Sequence, residues 1–160
     1  MSEENKSDML HMDLASGKVV IRLRPDIAPL AAERLRTLSA EGFYDNVPFH
    51  RVIPGFMAQG GDPTGTGTGG SKLPDLKAEF TNAAKFLRGT IGMARTMDPN
   101  SANSQFFIMF EPAPHLDGQY TIVGEVTEGM DLIDKIKKGS GGGGVVQDPD
   151  RIVKMRPADA

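Results

Sequence analysis

The chain has neither cysteine nor tryptophan. The first absence excludes disulfides, thiolate catalysis and cysteine-ligated metals. The second, with aromatics at only 6% of residues, leaves the core to aliphatic side chains, nine Met and eight Phe. Long apolar runs are missing too. No stretch approaches the ~20 residues of a membrane span, and Met1 to Asp8 has no apolar segment of the secretory kind. A cytoplasmic protein without a membrane partner is therefore expected. Charge of one sign is in short supply, with 18 Lys and Arg against 21 Asp and Glu. Phosphate binding needs a basic surface, so no nucleic-acid partner is expected. Histidine occurs only at 11, 50 and 115, without paired spacing, so neither a metal nor another cofactor is expected.

What remains is an ordinary globular composition, 39% apolar and 24% charged over 160 residues, enough for one core and short for two. Residues 1–7 read as a disordered tail and 8–157 as a single domain, with nothing to suggest more than a monomer. Leu10, Met12 and Leu14 alternate with polar neighbours; after Ser16-Gly17, Val19, Ile21 and Leu23 do the same. That is a hairpin with one buried face, ended by Pro25. Over Pro29–Ala40 the apolar spacing changes to three and four, which predicts an amphipathic helix with Gly42 as its C-terminal cap. Short apolar runs between Gly, Pro and Asn clusters predict strands at Phe49–Ile53, Phe56–Gln59, Thr90–Ala94, Gln105–Phe110, Thr121–Val126 and Arg151–Met155. A second helix is predicted over Met130–Lys137, and Gly139–Gly144 reads as a compliant connection. Many short strands and two helices favour a mainly β barrel or sandwich over a doubly wound sheet.

Two segments carry the chemistry. One runs from Phe49-His50-Arg51 through Pro54-Gly55-Phe56-Met57 to Gln59-Gly60-Gly61-Asp62; the other is Gly92-Met93-Ala94-Arg95 followed by Asn103-Ser104-Gln105-Phe106-Phe107-Ile108. In a strand Arg51 shares a face with Phe49 and Ile53. An arginine by itself in that position would be a structural ion pair or a snorkelling side chain. Its company argues otherwise. With Tyr44, Leu116-Asp117-Gly118, Val123-Gly124-Glu125-Val126 and Gly129-Met130 at matching spacings, the pattern resembles the cyclophilin family of peptidyl-prolyl cis/trans isomerases over nearly the whole chain.

The resemblance implies a closed eight-stranded antiparallel β-barrel with a helix capping each end. It implies catalysis by Arg51, oriented by Gln59, and a proline pocket lined by Phe56, Met57, Phe107 and Leu116. The substrate backbone would lie along Ala94-Arg95-Thr96, with Gln105 bordering the groove. His50, His115 and Tyr120 complete the expected substrate-binding set, and His50 is expected to hydrogen-bond structurally beside Arg51. Partners would be proline-containing peptides and unfolded proteins. Two positions depart from the best-known members: His115 stands where tryptophan is common, and Tyr120 where histidine is common. The first predicts weak cyclosporin binding, because an imidazole lacks the area and fixed donor of an indole. Arg95 also places a positive side chain by the groove.

Rival readings fare worse. Gly65 to Gly70 formally contains G-x-G-x-x-G, yet Pro63 and Pro74 flank it and no strand–turn–helix surrounds it. A hydrolytic triad from Ser101 or Ser104 with His50 or His115 lacks the G-x-S-x-G elbow. The serious alternative keeps the fold without turnover: a binding module or chaperone for proline-containing segments.

Overall fold

The computed structural model describes residues 8–159, so the expected tail at 1–7 lies outside the described residues. The hairpin forms as its alternation demands: β1 (Met9–Leu14) pairs with β2 (Gly17–Leu23), and Leu10, Met12, Val19 and Ile21 all point into the core. Helix α1 spans Pro29–Ala40, buries Ala31, Leu35 and Leu38, and packs on the far end of the sheet. Its end is a Schellman turn: the Gly42 and Phe43 amides donate to the Ser39 and Leu38 carbonyls, with Gly42 at φ 79°. The start of α1 is capped from a distance. The Glu79 carboxylate accepts from the Leu30 and Ala31 amides at 2.9 and 3.0 Å.

Six further strands follow: β3 (Arg51–Ile53), β4 (Met57–Gly60), β5 (Thr90–Met93), β6 (Phe106–Met109), β7 (Ile122–Glu128) and β8 (Lys154–Pro157). All eight form one antiparallel sheet in the order β3-β4-β6-β5-β7-β2-β1-β8. The fold is thus mainly β, a curled sheet with two helices. The second helix, α2 (Met130–Asp134), is shorter than the apolar spacing predicts. Beyond it Lys135 and Ile136 donate to carbonyls only three residues back, so the last turn tightens while Ile136 still reaches the core.

The expected closed barrel is not formed by a continuous ladder, since β3 and β8 are the two ends of the strand order. The reason lies in what occupies the free edge of β3. Residues 139–146 sit there: Val52 donates to the Gly144 carbonyl, Gly139 to the Val52 carbonyl, and Val146 to the His50 carbonyl. Between the ends of the sheet residues 46–49 meet 150–152 at the Pro48–Arg151 bridge, where Asn46 donates to the Ile152 carbonyl, Ile152 to the Val47 carbonyl and Phe49 to the Asp150 carbonyl, without extending into a strand ladder. The strands predicted at Phe49–Ile53 and Arg151–Met155 begin later, at Arg51 and Lys154, because the chain before each meets its neighbour through this short pairing and not through the main sheet. Phe49 therefore does not share the face of Arg51; it lies in the main core with Val52.

Register decides the two faces. Val52, Ala58, Ile108 and Ile91 stand in one row across β3, β4, β6 and β5, all inside the curl and fully or nearly fully buried. Arg51, Gln59, Phe107 and Gly92 form the neighbouring row, and this one faces outward. A second apolar cluster lies on that outer side, built from Met57, Phe86, Phe107, Met109, Leu116 and Ile122. The site grows from this cluster.

Candidate active site

The outer row places a cation, an amide and an aromatic ring side by side. Arg51 on β3, Gln59 on β4 and Phe107 on β6 line a cavity of about 190 Å³, together with Phe56, Met57, Ala94, Arg95, Leu116 and Tyr120. Its floor is apolar and its rim carries both guanidinium groups. Phe107 is held flat by Phe86, with ring centroids 5.7 Å apart and planes 17° apart, and Tyr120 stands edge-on to both. A glycine makes this possible. A Cβ at position 92 would sit 2.6 Å from Phe107 and 2.7 Å from Phe86. The Phe86 amide donates to Asp117 and its carbonyl accepts from Ala113, which ties the ring stack to the 3-10 turn Pro114–Leu116 that supplies Leu116.

Arg51 is held by a directed chain of hydrogen bonds. Gln105 Nε2 donates to the Gly67 and Gly69 carbonyls, which turns its Oε1 toward Gln59. Gln59 Nε2 donates to that oxygen at 3.0 Å, and its own Oε1 accepts from Arg51 Nη1 at 3.0 Å. On the other side Arg51 Nε donates to the Gly143 carbonyl at 2.9 Å. A guanidinium has five N–H bonds, and these contacts use two. The rest, including both on Nη2, have no partner in these contacts, and Arg51 lines the cavity. No carboxylate lies within ion-pair distance of Arg51 among the described residues.

The far end of the chain rests on Asp62, which is fully buried. Its carboxylate accepts from the Thr64, Gly67 and Gly69 amides and from the Thr64 and Thr66 hydroxyls. The G-x-G-x-x-G stretch is thus a loop wrapped around one carboxylate. Burial opposes ionisation of Asp62, but the hydrogen bonds from Thr64, Gly69 and Gly67 outweigh it and hold the pKa at about 2. A folded pKa below the unfolded value near ~3.9 means stability that is complete above ~pH 4 and lost as pH falls through 2. The difference corresponds to about 2–3 kcal/mol. Urea unfolding of Asp62→Asn should show a visibly shallower loss of stability between pH 5 and pH 2; a slope equal to wild type would refute this assignment.

Thr96 and Gln105 line an adjoining cavity of about 470 Å³ that shares Gln59, Ala94 and Arg95 with the smaller one. His115 and His50 line neither. His115 is exposed and stacks on Phe56 from outside, with centroids 5.9 Å apart. His50 does not make the hydrogen bond expected of it. Both ring nitrogens are buried with no hydrogen-bond partner, beneath the loop at Gly67. Burial pushes the imidazole pKa down, against the pull of Asp62 and with the help of Arg51. The residues that sequence reasoning missed mostly act through backbone carbonyls that accept: Gly143 from Arg51, Gly67 and Gly69 from Gln105, and Gln119 from Arg95. Among the described residues no group of three His, Cys, Asp or Glu side chains could hold a metal ion.

Known proteins resemble this chain in sequence and fold. The profile of the cyclophilin type peptidyl-prolyl cis-trans isomerase family matches residues 9–157. A probable peptidyl-prolyl cis-trans isomerase of Brucella suis is 54% identical over 155 residues, covering 89% of this chain and 79% of that protein. The peptidyl-prolyl cis-trans isomerase of Helicobacter pylori is 46% identical over 126 residues, covering 77% of this chain and 76% of its own. Among solved structures, a Cryptosporidium parvum cyclophilin type peptidyl-prolyl cis-trans isomerase, crystallised in the presence of the dipeptide Ala-Pro, superposes with a TM-score of 0.84. It is 31% identical, with 93% of this chain and 98% of that one covered. Matched from the first strand to the last, the chain belongs to the cyclophilin family and is a peptidyl-prolyl cis/trans isomerase.

Proposed function

We propose that Arg51 is the catalytic group of this isomerase and that the 190 Å³ cavity grips the proline ring while the residue before it turns. The observation that carries this reading is the split use of the guanidinium: two of its N–H bonds are committed to Gln59 and Gly143, while Arg51 lines the cavity with three N–H bonds to spare.

The X–Pro bond turns slowly because resonance stiffens its C–N bond, with a barrier of ~18–20 kcal/mol and exchange in ~10–100 s. Turnover in about a millisecond requires removing roughly 5–7 kcal/mol, at ~1.4 kcal/mol per tenfold. No bond need be made or broken, so nucleophile, metal and proton store are all dispensable. A donor on the prolyl nitrogen or the twisting carbonyl favours the pyramidal state in which resonance is broken. One preorganised donor contributes about 3–4 kcal/mol. The remainder falls to Phe56, Met57, Phe107 and Leu116, which fix the ring, and to Ala94–Thr96, along which the flanking backbone lies. Gln59 is a positioning residue. Guanidinium suits the task because it stays protonated and its planar fork can be held at one edge while the other acts.

Proline-containing segments of unfolded polypeptides are the proposed substrates, taken by a single domain. The test is NMR titration and exchange spectroscopy with a short Ala-Pro peptide. Catalytic amounts of protein should speed cis/trans exchange, and shifts should centre on Met57, Phe107 and Leu116. Binding without acceleration would leave only a proline-segment binding module. Cyclosporin should bind weakly, because His115 offers an exposed imidazole stacked on Phe56 where an indole would add area and a fixed donor. Nanomolar affinity by calorimetric titration would refute that expectation.

A further inference from the structure

Arg95 is the second cation on the proline cavity, and nothing in the rotation chemistry calls for it. It stands two residues beyond the end of β5 and lines both cavities, between Ala94 and Thr96. It is not a loose surface side chain. Nε and Nη2 donate to the Gln119 carbonyl at 3.3 and 2.8 Å, and Nη1 donates to the Thr96 carbonyl at 2.9 Å. The guanidinium lies over the Tyr120 ring at 4.5 Å from its centroid, with Phe80 at 5.6 Å.

All of these partners are neutral. Among the described residues no carboxylate comes within ion-pair distance of Arg95, whereas Arg22, Arg24, Arg36, Arg88 and Arg156 each have one. Three of its five N–H bonds are used, which leaves two donors. The proline cavity has no acidic residue in its lining, and its other charge is Arg51. The one carboxylate lining the larger cavity, Asp75, already accepts from Asn103. A fixed positive charge without a counter-ion at the mouth of a binding cavity attracts an anion, and its immobilisation is complete before the ligand arrives. A residue bonded to proline has its Cα only ~3.8 Å from that of the proline, within reach of the cavity rim.

The geometry points to Arg95 as a specificity-determining residue that selects an acidic side chain, Asp or Glu, directly flanking the proline. This rests on the placement of proline in the cavity beside Arg51. The test uses peptides that differ only at the residues flanking proline: Ala-Pro, and Glu against Gln placed before or after it. Exchange NMR gives kcat/KM for each at low and at moderate salt. Wild type should favour Glu over Gln by about tenfold at one flanking position, mostly through KM. That preference should shrink as salt screens it. Arg95→Gln should bring the Glu and Gln peptides level, whatever its effect on both. Equal rates for Glu and Gln in wild type that still turns over Ala-Pro would overturn the proposal and leave the isomerase site standing. A preference that persists in Arg95→Gln would also overturn it, by assigning the selection to Arg51. Failure to accelerate any of the peptides would bring down the proline-site reading and this inference with it.

Discussion

Arg51→Ala is expected to lower kcat/KM by roughly 10²–10³-fold while the protein stays folded. The magnitude follows from the number of donors lost. Arg51 is the one cation that β3 places on the outer row at the 190 Å³ cavity, and its fork is preset by Gln59 and Gly143. Stability should change little, because Arg51 is only partly buried and has no ion-pair partner that would be left uncompensated. The Gln59 oxygen it vacates can be met by water. Arg51→Lys should recover part of the loss: it restores the charge but cannot accept the two-sided hold of the fork. Exchange spectroscopy on an Ala-Pro peptide, with circular dichroism to match folded fractions, measures both. A loss below threefold for the alanine variant would mean that the cation is not what breaks the amide resonance here.

Gly144→Ala is expected to cost about 2–4 kcal/mol of stability and about tenfold in kcat/KM. Residue 144 has φ 71°, where a side chain is strained, and its new methyl would stand 2.6 Å from Ile53 Cγ1 and 3.1 Å from the Val52 carbonyl oxygen. Ile53 can rotate, but the Val52 backbone is part of β3 and cannot yield. Val52 donates to the Gly144 carbonyl, so displacing the loop opens the clip that covers the edge of β3. Gly143 moves with it, and its carbonyl is what holds Arg51 Nε. Gly142→Ala is the comparison, since a methyl there meets nothing within 4 Å. It should match wild type in melting temperature and rate. Should Gly144→Ala keep both the melting temperature and the rate of wild type, the loop would be a passive connection after all.

The elements that were legible share one property: their side chains alternate between core and solvent with a single period. The β1–β2 hairpin and α1 have their expected bounds to within a residue because propensity, pattern and caps agree there. The expected β3 failed at Phe49 because the chain reaches the sheet through irregular backbone, which brings Phe49 and Val52 to the same core despite odd spacing. Met130–Lys137 shortened because apolar residues three apart fit a tightened turn as well as a helix. Nine of the thirteen expected site residues line the 190 Å³ cavity and two line its neighbour. The two exceptions are both histidines, whose polar ring is compatible with a cavity wall, an exposed stack or a buried pocket.

By itself the sequence determined the family, the strand-rich fold and the residue types of the site, because those depend on side-chain identity and its period along the chain. Only the tertiary structure decided that the ladder stays open between β3 and β8, and that the glycine segment takes the vacant edge. It alone also decided which groups aim the two arginines. Gly143 holds Arg51 and Gln119 holds Arg95 through backbone carbonyls. Every residue carries that same carbonyl, so no letter in the sequence could mark these as different from the rest.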